Sequence, residues 1–177
     1  MSRRRPLRID PIAEAHHHWV AHGWKPAADG MALVTSIVRV QQVLMARIER
    51  TLRPFDLSFA RYEVLMILHF SRRDELPLGK IGARLQVQPG AVTNAVDRLE
   101  ADGLVERRPH PTDGRATLAA LTDAGRCLAS KATEAINAGV FEKTGVESSV
   151  ARQLVELLRL LRIDAGDFVA DVREGSD

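Results

Sequence analysis

The chain is poor in sulfur. Cys127 is its single cysteine among 177 residues, which excludes an intrachain disulfide and suits a reducing cytoplasm. The thiol falls early in a predicted helix, near Leu121, Ala124 and Leu128, and is expected to be a buried or semi-buried packing group rather than a redox sensor. Aromatic residues make up only 5%, in keeping with a helical protein rich in Ala and Leu. Charge of one sign is also lacking: 25 Lys and Arg stand against 23 Asp and Glu, a net +2. Bulk charge therefore does not announce nucleic acid, and any anionic partner has to be met by the placement of basic residues. No apolar run approaches transmembrane length, so no membrane partner is expected. Arg3, Arg4, Arg5 and Arg8 precede no apolar signal core, so residues 1–9 read as a flexible basic arm. Residues 171–177 read as a flexible tail.

Catalytic patterns are missing as well. There is no phosphate-binding glycine loop, nucleophile elbow or metalloprotease motif, so neither an enzyme nor a cofactor is expected. His16, His17, His18 and His22 crowd one short segment. His18 and His22 have the one-turn spacing that can hold zinc, and Glu14 is one turn from His18. No cysteine or carboxylate pair completes a site, so these read as surface histidines and no metal is expected.

What is present is concentrated between residues 76 and 126. Leu78 to Leu85 has Ile81 and Leu85 one turn apart and predicts a short helix facing inward. Gln86, Val87 and Gln88 form a turn. Pro89 opens a second helix, where its missing N–H costs nothing. Val92, Val96 and Leu99 recur at spacings of four and three and face the core. Gly103 ends this helix. Gly90, Thr93, Asn94 and Arg98 lie off the apolar stripe and are small or hydrogen-bonding. Asn can pair bidentately with adenine, Thr can touch a thymine methyl or a phosphate, and Arg can reach guanine or phosphate.

Residues 104–108 and 116–121 read as two strands joined through PHPTDGR, in which Asp113-Gly114 is a strong hairpin-turn signal. Arg115 sits just past the tip and can enter a narrow minor groove, with Asp113 placed to orient it. Helix, turn, helix, strand, turn, strand is the order of a winged helix-turn-helix. The fold class read from the sequence is mainly α, with a two-stranded wing on a helical dimerisation scaffold. Lys80, Arg84, Arg107 and Arg108 are further candidates for phosphate contact. The rival reading is a winged-helix module that binds protein rather than DNA; the set Thr93, Asn94, Arg98 and Arg115 favours DNA.

The segment VTNAVDRLEADGLVERRPHPTDGRATLAALTDAGR, with RYEVLMIL upstream, resembles the signature of MarR-type (multiple antibiotic resistance regulator) transcription factors over about residues 31–170. The resemblance implies a homodimeric winged-helix repressor of a nearby gene, working in the cytoplasm. It would read a pseudo-palindromic operator and be released by a small anionic or phenolic ligand. Many relatives carry Ser before the recognition-helix proline; this chain has Gln88, a poorer cap.

The other helices read as the scaffold, residues 31–54 and 122–170, around a reader at 55–121. Leu33, Ile37, Val40, Leu44 and Ile48 form a long stripe, stopped by Pro54. Ser58 can cap a helix carrying Tyr62, Leu65, Met66 and Leu68. Thr122 can cap another running toward Val140. A last helix over about residues 147–169 carries Val150, Leu154, Leu157, Leu158 and Leu161. These apolar faces are too wide for one small domain to cover, and a partner copy is the simple explanation.

Residues 10–30 read as an additional N-terminal region whose helix runs from Pro11 to His22, with Asp10 as cap, Pro11 in the first turn and Gly23 as terminator. This helix resembles the added helix of the urate-responsive branch of the family. That resemblance implies an anion pocket using Trp19 or Trp24, Glu63 and Arg98. An effector pocket is expected where the helix around Met45 and Ile48 meets Phe55, Phe59, Arg61 and Tyr62 at the base of the reader, with Arg61 or Arg98 holding the anion.

Overall fold

The computed structural model describes residues 7–113 and 115–169. The arm at 1–6, Gly114 of the expected hairpin turn and the tail from 170 lie outside the described residues.

Helix α1 (Pro11–Ala21) starts as expected: the Asp10 carboxylate accepts the Ile12 N–H at 2.9 Å, with proline in the first turn. Gly23, at φ +84°, turns the chain into α2 (Lys25–Leu52). The long helix thus begins about six residues before the expected start at Met31. Pro26 supplies a preorganised first turn, and Gly30 is absorbed in the helix interior at a cost of about 1 kcal/mol relative to alanine. The additional helix ends at Ala21, one residue before the expected end at His22.

A 3-10 turn (Arg53–Phe55) follows, then α3 (Phe59–His69), where Ser58 Oγ accepts the Arg61 N–H. Next come β1 (Glu75–Pro77), α4 (Leu78–Leu85) and α5 (Pro89–Ala101). Strands β2 (Val105–Pro109) and β3 (Thr117–Leu121) lead into α6 (Asp123–Gly139), capped by Thr122. A second 3-10 turn (Phe141–Lys143) precedes α7 (Ser148–Asp164).

The expected two-stranded wing is part of a three-stranded antiparallel sheet in the order β1-β3-β2. Leu76 and Arg107 both pair with Ala119, from opposite sides. A three-residue strand ending in proline carries too little alternation to be read locally. Only its position beside β3 makes it a strand.

The core lies under the reader. Leu52 of α2, Leu65 and Leu68 of α3, Ile81 of α4, Val96 and Leu99 of α5 and Ile136 of α6 are fully buried. By contrast Leu33, Ile37, Val40 and Leu44 of α2 and Leu154, Leu157, Leu158 and Leu161 of α7 are exposed in the single chain. The segment 25–55 is, by length and composition alone, apolar enough to cross a bilayer, which the sequence reading did not anticipate. The last turns of α2 are anchored in the globular core through Ile48 and Leu52, and Arg39 interrupts its middle with a bond to Gln42. A helix apolar nearly all round is equally one that is covered by protein on both sides.

Candidate nucleic-acid interface and adjoining clefts

The turn between α4 and α5 is made by Gln86 in the left-handed region at φ +53°, with the Val87 N–H bonded to the Gly82 carbonyl at 3.2 Å. A Cβ on Gly82 would stand 3.4 Å from Val92, so the two helices meet closely there. Gln88 makes no side-chain cap, as its chemistry predicts. Val92, Ala95, Val96 and Leu99 are buried, which turns Gly90, Thr93, Asn94 and Arg98 to solvent. The Thr93 hydroxyl donates to the Pro89 carbonyl at 3.1 Å, so toward a ligand it presents its methyl and a free lone pair.

Charge on this surface is sorted by ion pairing. Arg107 is held by Asp97 and Glu100, and Arg108 by Glu106 and Glu75. Both were expected at phosphates; instead they brace β2 against α5 and β1. Among the described residues Lys80, Arg84, Arg98 and Arg115 enter no ion pair. On the helix pair and the wing tip, cations are thus left to meet an external anion, as are others elsewhere on the chain such as Arg72 and Arg73.

The wing loop has an organiser that sequence reading missed. His110 Nδ1 accepts the Asp113 N–H at 3.1 Å and the Thr112 N–H at 3.4 Å. Only a ring nitrogen without a proton can do this. Asp113 engages Arg115 through its backbone: the carboxylate accepts the Arg115 N–H at 3.0 Å. The side chains of His110 and Asp113 thus fold the loop that presents Arg115. The sequence offered little local signal for His110 in this role, since turn-capping side chains are ordinarily Asn, Asp, Ser and Thr. We expect His110→Ala to weaken binding to a DNA duplex several-fold, with His110→Asn recovering most of the loss. Equal affinity of the alanine variant in a fluorescence-anisotropy titration would remove this role.

Two clefts flank α3. One, of about 490 Å3, lies between the start of α3 and α5 and includes Ser58, Arg61, Asn94, Asp97 and Arg98. Arg61 is not free in it: its guanidinium bonds Asp102 at 2.8 Å and the Asp56 carbonyl. Arg98 is the remaining cation. The other cleft, of about 500 Å3, lies between α3 and α6 and gathers Phe59, Tyr62 and Glu63. Burial alone holds the Glu63 carboxyl above its ordinary range.

Within one chain the residues expected at a single pocket are divided: Arg61 and Arg98 line the first cleft, and Phe59, Tyr62 and Glu63 the second. Met45 and Phe55 pack, partly buried, against the core and line neither cleft. Trp19 and Trp24 lie edge to face with ring centroids 5.4 Å apart in the α1–α2 hairpin, where Trp24 also stacks on His22. Neither tryptophan lines either cleft.

His16 bonds Asp29 of α2 at 2.8 Å. Among the described residues no group of three or more His, Cys, Asp and Glu could hold a metal. Cys127 is exposed, not buried as expected. Ala129, Ala132 and Ile136 set the inward face of α6, and Cys127 falls off it.

A helix-turn-helix with a wing at its side, presenting cations to solvent, defines the winged-helix class of transcriptional regulators. The family model of the MarR family matches residues 57–117. The transcriptional repressor IacR of Pseudomonas putida is 33% identical over 89 residues, half of this chain and 52% of that protein. The chain thus matches about half the length of that curated relative. The crystal structure of Sco5413, a MarR family transcriptional regulator from Streptomyces coelicolor, is 44% identical. That similarity covers 80% of this chain and 99% of the other, with a TM-score of 0.73. Sco3205 of the same organism, solved in complex with DNA, shares the fold at 24% identity over 82% of this chain and 91% of its own, with a TM-score of 0.66. The chain belongs to the MarR family, a family of transcriptional regulators and not of enzymes.

Proposed function

We propose that this protein is a homodimeric DNA-binding repressor of a nearby gene, reading a pseudo-palindromic operator with α5 in the major groove and the wing beside it. The observation that carries the reading is the outward face of α5. Asn94 and Arg98 face solvent, and Arg98 has no carboxylate partner although acidic side chains engage Arg107 and Arg108 close by. An Asn and an unneutralised Arg one turn apart match the bidentate pairing of adenine and guanine edges in the major groove. A gel shift with the DNA upstream of the chain's own gene tests it; no retarded complex at low salt, where phosphate contacts are strongest, defeats the reading.

Dimerisation follows from the apolar faces of α2 and α7, which a single chain leaves in water. Light scattering at micromolar concentration should return twice the mass of one chain; one chain's mass would refute the dimer. Two recognition helices related by a two-fold would then enter successive major grooves, with half-sites roughly 34–36 Å apart. An anionic or phenolic effector, as the family resemblance implies, is best supported at the α3–α5 cleft. Arg98 is available there beside Asn94, so an anion in that cleft would compete directly with DNA for the same guanidinium.

A further inference from the structure

The turn between α4 and α5 carries two glutamines whose amides have opposite fates. The Gln86 amide donates to the Asp167 carbonyl at 2.7 Å, which ties the turn to the chain beyond α7. Gln88 stands exposed at the N-cap of α5, and its side chain makes no cap. Among the described residues its amide enters no hydrogen bond, so neither capping nor packing accounts for it. Its stem is nonetheless held firmly. The Gln88 backbone is extended, at φ −60° and ψ 143°, and the fixed ring of Pro89 follows it. A planar group with one acceptor and two donors is therefore presented from the leading end of the recognition helix, the end whose residues meet base edges.

The surface beside that amide is apolar. A cleft of about 380 Å3 between α4 and α5 is floored by Gly79, Gly82, Ala83, Val87 and Pro89, and no charged side chain lines it. Val87 is 41% exposed. In the major groove an A·T pair offers an acceptor and a donor on adenine and a methyl group on thymine. A free amide next to an apolar shelf is complementary to both halves of that pair. Against guanine the amide oxygen would face O6, acceptor against acceptor. A serine at this position would cap α5 better, but it pairs with any base and so selects less.

We propose that Gln88 reads one A·T pair in each half-site, its amide bidentate on adenine N7 and N6 and the thymine methyl against Val87 and Pro89. The inference rests on the DNA-reading function above and adds to it the base that this side chain selects.

The test is selection from a library of random-sequence duplexes, with the bound sequences counted for the full chain and its variants. Wild type is expected to enrich a two-fold motif in which one symmetric position takes adenine at least about tenfold over any other base. Gln88→Ala should flatten that position to within about twofold and keep the rest of the motif. Gln88→Ser, the better cap, should do the same, which guards against a loss of fold in the alanine variant. Gln88→Glu offers acceptors only and should exchange adenine for cytosine at the same position, since a carboxylate accepts from cytosine N4. A residue with a structural role alone cannot produce that exchange. Gln86→Gly, which suits the left-handed backbone at φ +53°, should leave the motif unchanged. The inference is overturned if the motifs of wild type, Gln88→Ala and Gln88→Ser coincide, if Gln88→Glu keeps adenine, or if Gln86→Gly erases the same position. Enrichment of no motif by wild type would defeat the DNA-reading function itself, and this inference with it.

Discussion

Gly125→Ala is expected to be the most damaging small substitution in this chain, lowering stability by about 3 kcal/mol, the upper end for overpacking. Gly125 is the third residue of α6. A Cβ there would lie 2.0 Å from the Leu104 carbonyl oxygen and 2.9 Å from Leu121 Cδ1. The carbonyl cannot swing aside freely, since it accepts the Thr122 N–H at 3.1 Å. Thr122 in turn caps α6 through the Gly125 N–H and donates its hydroxyl to the Gly103 carbonyl at 2.9 Å. One small knot therefore joins the end of α5, the start of β2, the end of β3 and the start of α6. Relief of the clash must pull α6 off the sheet. In most helices the same change would be stabilising by about 1 kcal/mol. For a chain of this length the loss corresponds to a fall of roughly 6–12 °C in melting temperature. Gly79→Ala, where a Cβ meets nothing within 4 Å, should leave the melting temperature near wild type. If the two variants melt alike in calorimetry, the close approach of α6 to Leu104 is wrong.

Arg115→Ala is expected to give the largest loss of DNA affinity for one side chain on the wing. Its backbone is positioned by Asp113, and its guanidinium has no partner among the described ion pairs. A two-fold complex would lose the contact twice. If each copy meets phosphate or a narrow minor groove, the slope of log K against log salt should flatten by about 1.8, with at least about tenfold weaker binding at physiological salt. Arg107→Ala is the contrast. Because Arg107 is neutralised by Asp97 and Glu100, its removal should loosen β2 against α5 and lower thermal stability, with little change in salt slope. An Arg115→Ala protein that binds operator with wild-type affinity and slope would show that the wing does not touch DNA.

The order of elements and the outward face of α5 were legible because their causes are local. A helix stripe is written within a dozen residues, and Asp10, Ser58 and Thr122 cap helices whose first N–H groups lie two or three residues on. The boundaries of α4 match their expected range for the same reason. Strand β1 was not legible, since three residues acquire strand identity only from β3, more than forty positions downstream. Cys127 was misjudged because an apolar neighbourhood in sequence does not say which face of α6 a residue occupies.

The candidate site divides along the same line. Local sequence by itself determined the helix-turn-helix, the wing and the side chains it offers, because spacing and capping act over a few residues. Which arginines stay available was decided only by tertiary structure. Arg61 meets Asp102 across 41 positions, and Arg107 and Arg108 find carboxylates on α5 and β1, so three of the candidate cations are neutralised while Arg98 and Arg115 are not. The two clefts were likewise shaped by packing. Tyr62 and Thr133 meet across 71 positions beside a cleft whose lining has no cation, whereas Met45 and Phe55, expected beside Tyr62 at a pocket, pack partly buried against the core and line no part of that cleft. Ion pairs and cavities depend on distances between groups far apart along the chain, and those distances exist only once the chain has folded.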